Sequence, residues 1–163
     1  MQVLTINQSS LKLNMEIVQN LLDQLIKRCG RMRTLKNFKK LKKEEITVVL
    51  LSSKAMRALN LKYRNKDYAT DILSFRGLAP QSLGELILCP SVLKKQALAN
   101  GHSLDFEIMY MVIHGILHLL GYDHEKSLDQ EKKMFALQDR LFRQLTESKI
   151  NLQLTHVNRR RSQ

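Results

Sequence analysis

His114-Gly-Ile-Leu-His118-Leu-Leu-Gly121-Tyr-Asp-His124 is the stretch on which the reading of this chain turns. On an α-helix, residues four apart share a face, so the His114 and His118 imidazoles lie about 6 Å apart along the axis and can converge on one ion. Gly121 follows three residues later and accepts the left-handed backbone of a helix C-terminus, so the helix is predicted to end there. The chain then turns back and His124 supplies a third nitrogen. Three protein ligands with a fourth position open is the arrangement of a catalytic zinc rather than a structural one. The stretch therefore points to hydrolytic chemistry at a single zinc ion, with His114, His118 and His124 as ligands and His114 also counted as catalytic.

The flanking sequence supports this. Residues 106–120 are apolar on nearly all faces, so the helix is predicted to be buried. An unpaired polar group buried in it costs about 1–3 kcal/mol, and one cation satisfies both imidazoles. His102 and His156 sit in polar sequence and are expected to be solvated surface residues. The histidine spacing is similar to the metzincin peptidase signature H-E-x-x-H-x-x-G-x-x-H. However, Gly115 stands where those enzymes carry their general-base glutamate, which counts against peptide hydrolysis. Asp123, beside a ligand, is a candidate base; a hydrogen bond from its carboxylate to a ligand imidazole is the competing role. Other ions that accept imidazole, nickel and copper, are compatible with the same donors.

At 163 residues the chain is expected to form one domain, over residues 1–150, followed by a polar, basic tail at 151–163. No apolar run reaches the roughly 18 residues of a membrane span, and no secretory signal is visible, so a cytoplasmic protein is expected. Cys29 and Cys89 read as reduced thiols, with Cys89 structural at the end of an apolar strand. The net charge of +12 implies a polyanionic partner. Much of it lies in one run without acids: Lys27, Arg28, Arg31, Arg33, Lys36, Lys39, Lys40, Lys42 and Lys43. We read this run, with Lys66, as contacting RNA phosphate; a membrane surface is the competing partner for such a patch. Arg159, Arg160 and Arg161 read as part of a frayed terminus.

Hydrophobic periodicity places a strand at 3–6, an amphipathic helix capped by Asn14 and ending near Gly30, and a buried strand at 46–51. A helix capped by Ser53, strands at 72–75 and 83–88, and a helix opened by Pro90 and running to about Asn100 follow. Ser103 caps the histidine helix, with Asp105 and Glu107 near its positive end. A last helix is expected from 128 to 145. The fold class is α+β, a small mixed sheet of about four strands packed with about five helices.

Three blocks carry a family resemblance. They are Asn60-Leu-Lys-Tyr-Arg64-Asn-Lys66-Asp67-Tyr-Ala-Thr70-Asp71-Ile-Leu-Ser74-Phe75, then Leu83-Gly84-Glu85-Leu-Ile-Leu-Cys89, then the histidine motif. In this order and spacing they closely resemble the YbeY family of rRNA-processing metalloendoribonucleases, over roughly residues 46–145. The resemblance implies a zincin-like fold, one zinc on His114, His118 and His124, and a functional arginine at Arg64. It implies single-strand-specific RNA cleavage in maturation of the 3′ end of small-subunit (16S) rRNA and in ribosome quality control. The implied partners are single-stranded rRNA and the small subunit or its assembly factors, with no membrane and no small organic cofactor. Arg64 is then assigned to the negative charge of the transition state; an ion pair with Asp67 or Asp71 is its alternative. Glu85 stands where the family usually has Asp, and its extra methylene is expected to shift a carboxylate near the site. Two other function classes compete: a zinc peptidase, and a non-catalytic RNA-binding ribosome-assembly factor with structural zinc.

Overall fold

Strand β2 (Glu45–Leu51) has a neighbour on each side and apolar residues on both of its faces. The period-2 alternation of a strand sorts them: Ile46, Val48 and Leu50 face one helical layer, while Val49 and Leu51 face another. The computed structural model describes residues 3–10, 15–29 and 45–160. Strands β1 (Val3–Gln8), β3 (Ile72–Arg76) and β4 (Ser82–Leu88) complete a sheet of order β1-β2-β4-β3. β1 and β4 run parallel to β2, and β3 pairs antiparallel with β4, so the sheet is mixed, as predicted, and β3 is an edge.

Five helices accompany this sheet among the described residues: α1 (Met15–Cys29), α2 (Ser53–Arg64), α3 (Pro90–Ala99), α4 (Leu104–Leu119) and α5 (Leu128–Arg160). The larger core joins Val18, Leu21, Leu22 and Leu25 of α1 to the Ile46 face of the sheet, to α4 and to Met134, Leu141 and Leu145 of α5. Helix α2 covers the opposite face through Met56 and Leu59, against Leu51, Leu73 and Ile87. The result is an α+β domain with α4 laid directly on the sheet. Among the described residues no helix is long and apolar enough to cross a membrane.

The strands extend one or two residues beyond the ranges read from sequence, and Pro90 and Ser103 open their helices as expected. Three expectations are corrected. Ser52, not Ser53, caps α2: its backbone is extended as it leaves β2, and its hydroxyl accepts from the amide of Ala55. Helix α5 continues past 145 to Arg160, because residues 146–160 contain no glycine or proline to stop it. His102 is not a solvated surface residue: its side chain is one-quarter exposed (25%), its Nε2 lies 3.0 Å from the buried Glu107 carboxylate, and its ring packs on Phe106.

Candidate metal centre and cleft

The histidine helix ends where the sequence predicted, in a left-handed turn at Gly121 (φ 95°). The Tyr122 amide donates to the Leu117 carbonyl and the Gly121 amide to that of His118, which is the Schellman arrangement. This turn reverses the chain, and the Asp123 carboxylate then accepts from the Glu125 amide at 3.0 Å. Two successive local turns thus aim His124 back at α4. The ring centroids of His114, His118 and His124 lie 4.7–5.1 Å apart, and one nitrogen from each lies within 4.8 Å of the others.

The donor chemistry fits a metal. Gln138, fully buried on α5, donates from its amide to the Tyr110 carbonyl, which turns its carbonyl oxygen toward His114. His114 Nδ1–H then donates to that oxygen at 2.9 Å, so its Nε2 carries the lone pair. Nε2 lies 3.1 Å from Nε2 of His118. Two nitrogens of a tetrahedral zinc site stand about 3.3 Å apart at ordinary bond lengths. Burial lowers the His114 pKa below the usual imidazole value, and burial, then the neighbouring imidazoles, push that of His118 down to about 4. Both rings are therefore neutral near pH 7, as ligands must be. Gln138→Leu is expected to keep the fold and weaken metal affinity by about 10–100-fold, measured by chelator competition. Unchanged affinity would mean that His114 needs no orienting partner.

The triad faces a cleft of about 670 Å³ walled by the end of α2, the edge strand β3, the 121–125 turn and Phe135 of α5. Arg64 lines it, and neither Asp67 nor Asp71, the carboxylates of the alternative reading, pairs with it. Asp67 is taken by Arg57 in a two-pronged pair at 2.6 and 2.7 Å, and Asp71 accepts from Thr70, from the Ile72 amide and from Gln96. Arg64 instead reaches across to Glu125 at 2.7 Å. Asp123 also lines the cleft, yet its carboxylate is engaged by the Glu125 amide and, at 3.5 Å, by Lys126; that amide is the main cause of its lowered pKa. Glu85 is exposed on the α2 face of the sheet and is not among the residues lining the cleft, so its extra methylene displaces nothing there.

Gly115 explains the missing peptidase glutamate. A β-carbon at this position would lie 2.6 Å from Leu86, 2.7 Å from Ile72 and 3.1 Å from the Ser74 hydroxyl. The position faces the sheet rather than the cleft, and glycine lets α4 approach it closely.

Lys27 and Lys66 are exposed, and neither lines the cleft. Arg31, Arg33, Lys36, Lys39, Lys40, Lys42 and Lys43 lie outside the described residues, as do the side chains of Arg28, Cys29 and His156. Gln138 and Glu125 were not singled out from sequence as parts of the site, and Asp71 was named only as an alternative partner of Arg64. Gln138 had a readable signal: it is a lone amide on the buried stripe Met134, Gln138, Leu141, Leu145 of α5. Glu125 had none, because its partner is 61 residues away.

The family profile described as Endoribonuclease YbeY matches residues 4–146. The chain belongs to the YbeY family. Endoribonuclease YbeY of Bdellovibrio bacteriovorus is 41% identical over 142 residues, covering 87% of this chain and 93% of that protein. Endoribonuclease YbeY of Mycobacterium tuberculosis (strain H37Rv) is 44% identical over 110 residues, 60% of this chain and 62% of the relative. The solution structure of a Thermotoga maritima protein has the same fold, with a TM-score of 0.62 at 27% identity over 92% of this chain and 93% of that one. The YbeY match includes all three sequence blocks, so the cleft, its arginine and its imidazoles all lie within the family region.

Proposed function

We propose that this chain is a metal-dependent endoribonuclease that acts in rRNA maturation, cutting single-stranded RNA at the 3′ end of small-subunit rRNA and serving ribosome quality control in the cytoplasm. One zinc ion held by His114, His118 and His124 is its cofactor, and the small subunit or its assembly factors deliver the substrate. The observation that carries this reading is the convergence of three imidazoles at a cleft walled by a cleft-facing arginine, in a chain of the YbeY family.

When bound, the ion supplies a Lewis acid for phosphoryl oxygens. The protein's own residues do the rest. Gln138 holds the His114 ring in one tautomer. Arg64 offers a planar fork to the phosphate, which gains negative charge as the new bond forms. To do so it must exchange the Glu125 carboxylate for the phosphate. Arg64→Lys keeps the charge but loses the fork, so kcat/KM is expected to fall by about 10–100-fold. Wild-type cleavage by that variant would remove Arg64 from the mechanism.

The peptidase alternative is disfavoured by the packing of Gly115 against the sheet, which leaves no room for its glutamate. The decisive experiment is metal analysis of untagged protein together with cleavage of a defined single-stranded RNA before chelation, after it, and after zinc is restored. Cleavage that persists in fully metal-free protein would overturn the proposal. The product ends identify the nucleophile, since a cyclic 2′,3′-phosphate would mark attack by the RNA's own hydroxyl.

A further inference from the structure

The chain has four tyrosines and five phenylalanines, and five of these rings line this cleft: Tyr63, Phe75, Tyr110, Tyr122 and Phe135. Most are committed to the protein. Tyr110 donates to Asp139 and packs on Phe142, Phe135 lies beside His114 and His124, and Phe75 and Tyr122 pack against the two cores. Tyr63 differs, being 55% exposed at the rim. Its ring is braced by Phe75 in an edge contact, with centroids 4.9 Å apart and planes at 65°. It immediately precedes Arg64 in the last turn of α2, and the exposed Lys62 ammonium lies 5.1 Å from its ring centre.

A half-exposed aromatic face, fixed in angle by a second ring and flanked by two cations, is the recurring element of single-strand recognition, in which bases stack on rings while cations follow the phosphates. We infer that Tyr63 is the stacking platform for one unpaired nucleobase of the RNA whose phosphate Arg64 holds; this rests on the reading of Arg64 above. A paired base already has both faces covered by its neighbours in the duplex, so the platform favours unpaired RNA. Lys62 moves aside to an adjacent phosphate.

The test uses metal-loaded full-length protein and a short labelled single-stranded RNA, intact or with one abasic position moved along it. Tyr63→Ala is expected to weaken binding and raise KM about tenfold, with kcat little changed and duplex binding unaffected. Tyr63→Phe should restore binding. One abasic position should cost the wild type about tenfold and cost Tyr63→Ala nothing further. Tyr63→Leu keeps an apolar contact with Phe75 without an aromatic face, so it should melt like the wild type yet bind like Tyr63→Ala. Equal loss on duplex and single strand, failure of Phe to rescue, or additive abasic and Tyr63→Ala losses at every position would each overturn the inference. If Arg64→Lys is silent while the abasic cycle holds, only the phosphate role of Arg64 fails. If Arg64→Lys is impaired and the cycle is additive, only the stacking platform fails.

Discussion

His118→Ala is expected to lower RNA cleavage by at least about a thousandfold while the protein stays folded. The metal's charge stabilisation is worth several kcal/mol at the transition state, and each 1.36 kcal/mol is a factor of ten in rate. His118 lies in the last turn of α4, half-buried and open to the cleft, so its truncation leaves a wet gap rather than a core cavity. It is a cleaner variant than His114→Ala, which also strands the Gln138 carbonyl in the interior at a cost of about 1–3 kcal/mol. Metal content, thermal melting and RNA binding should be measured on the same preparation. Loss of metal and turnover, with the melt and the binding largely preserved, is the expected pattern. Global unfolding would instead make the ion part of the folding free energy and return the chain to the assembly-factor reading. Undiminished cleavage would end the metalloenzyme reading.

How much of this was legible in the sequence depends on the range over which each cause acts. Strands β2 and β4 were readable because alternation and β-branching are local, and α4 because its apolar run, Ser103 cap and Gly121 stop lie within 20 residues. The triad was readable for the same reason: its geometry follows from one helical repeat and one glycine turn. The end of α5 was not, since the apolar stripe used to locate it marks where the helix packs, whereas the helix continues as long as its residues tolerate it. The pairing of Arg57 with Asp67 and of Arg64 with Glu125 was invisible as well. Chain proximity favoured Arg64 with Asp67, but the side-chain directions at the end of α2 decide otherwise. His102 was misjudged because the burial of its partner Glu107 belongs to the folded packing and not to the polar sequence around it. The glycine at 115 was visible as a missing base, and only the packed sheet supplies its reason.

That reason gives the second large prediction. Gly115→Glu installs the residue that a zinc peptidase carries at this point of the motif, and it is expected to unfold the protein rather than confer peptidase activity. The β-carbon alone would come within 2.7 Å of both Leu86 and Ile72, and the carboxylate would follow it into a tightly packed layer whose named neighbours, Leu86, Ile72 and the Ser74 hydroxyl, include no cation. Overpacking costs about 1–3 kcal/mol and an unpaired buried charge several more. The sum, about 4–8 kcal/mol, is comparable with the whole stability of a marginal domain, about 5–15 kcal/mol. Gly115→Ala separates the two causes. It meets the ends of two flexible side chains but gains about 1 kcal/mol in helix propensity, so its net loss should be only about 0–2 kcal/mol. Urea midpoints for both variants, with a casein assay on the glutamate variant, make the comparison. A folded Gly115→Glu protein that hydrolyses casein would mean that residue 115 faces the cleft. A large destabilisation by Glu with a small one by Ala would mean that the helix–sheet layer yields to a β-carbon but not to a longer charged side chain, so that packing and desolvation exclude the peptidase glutamate there.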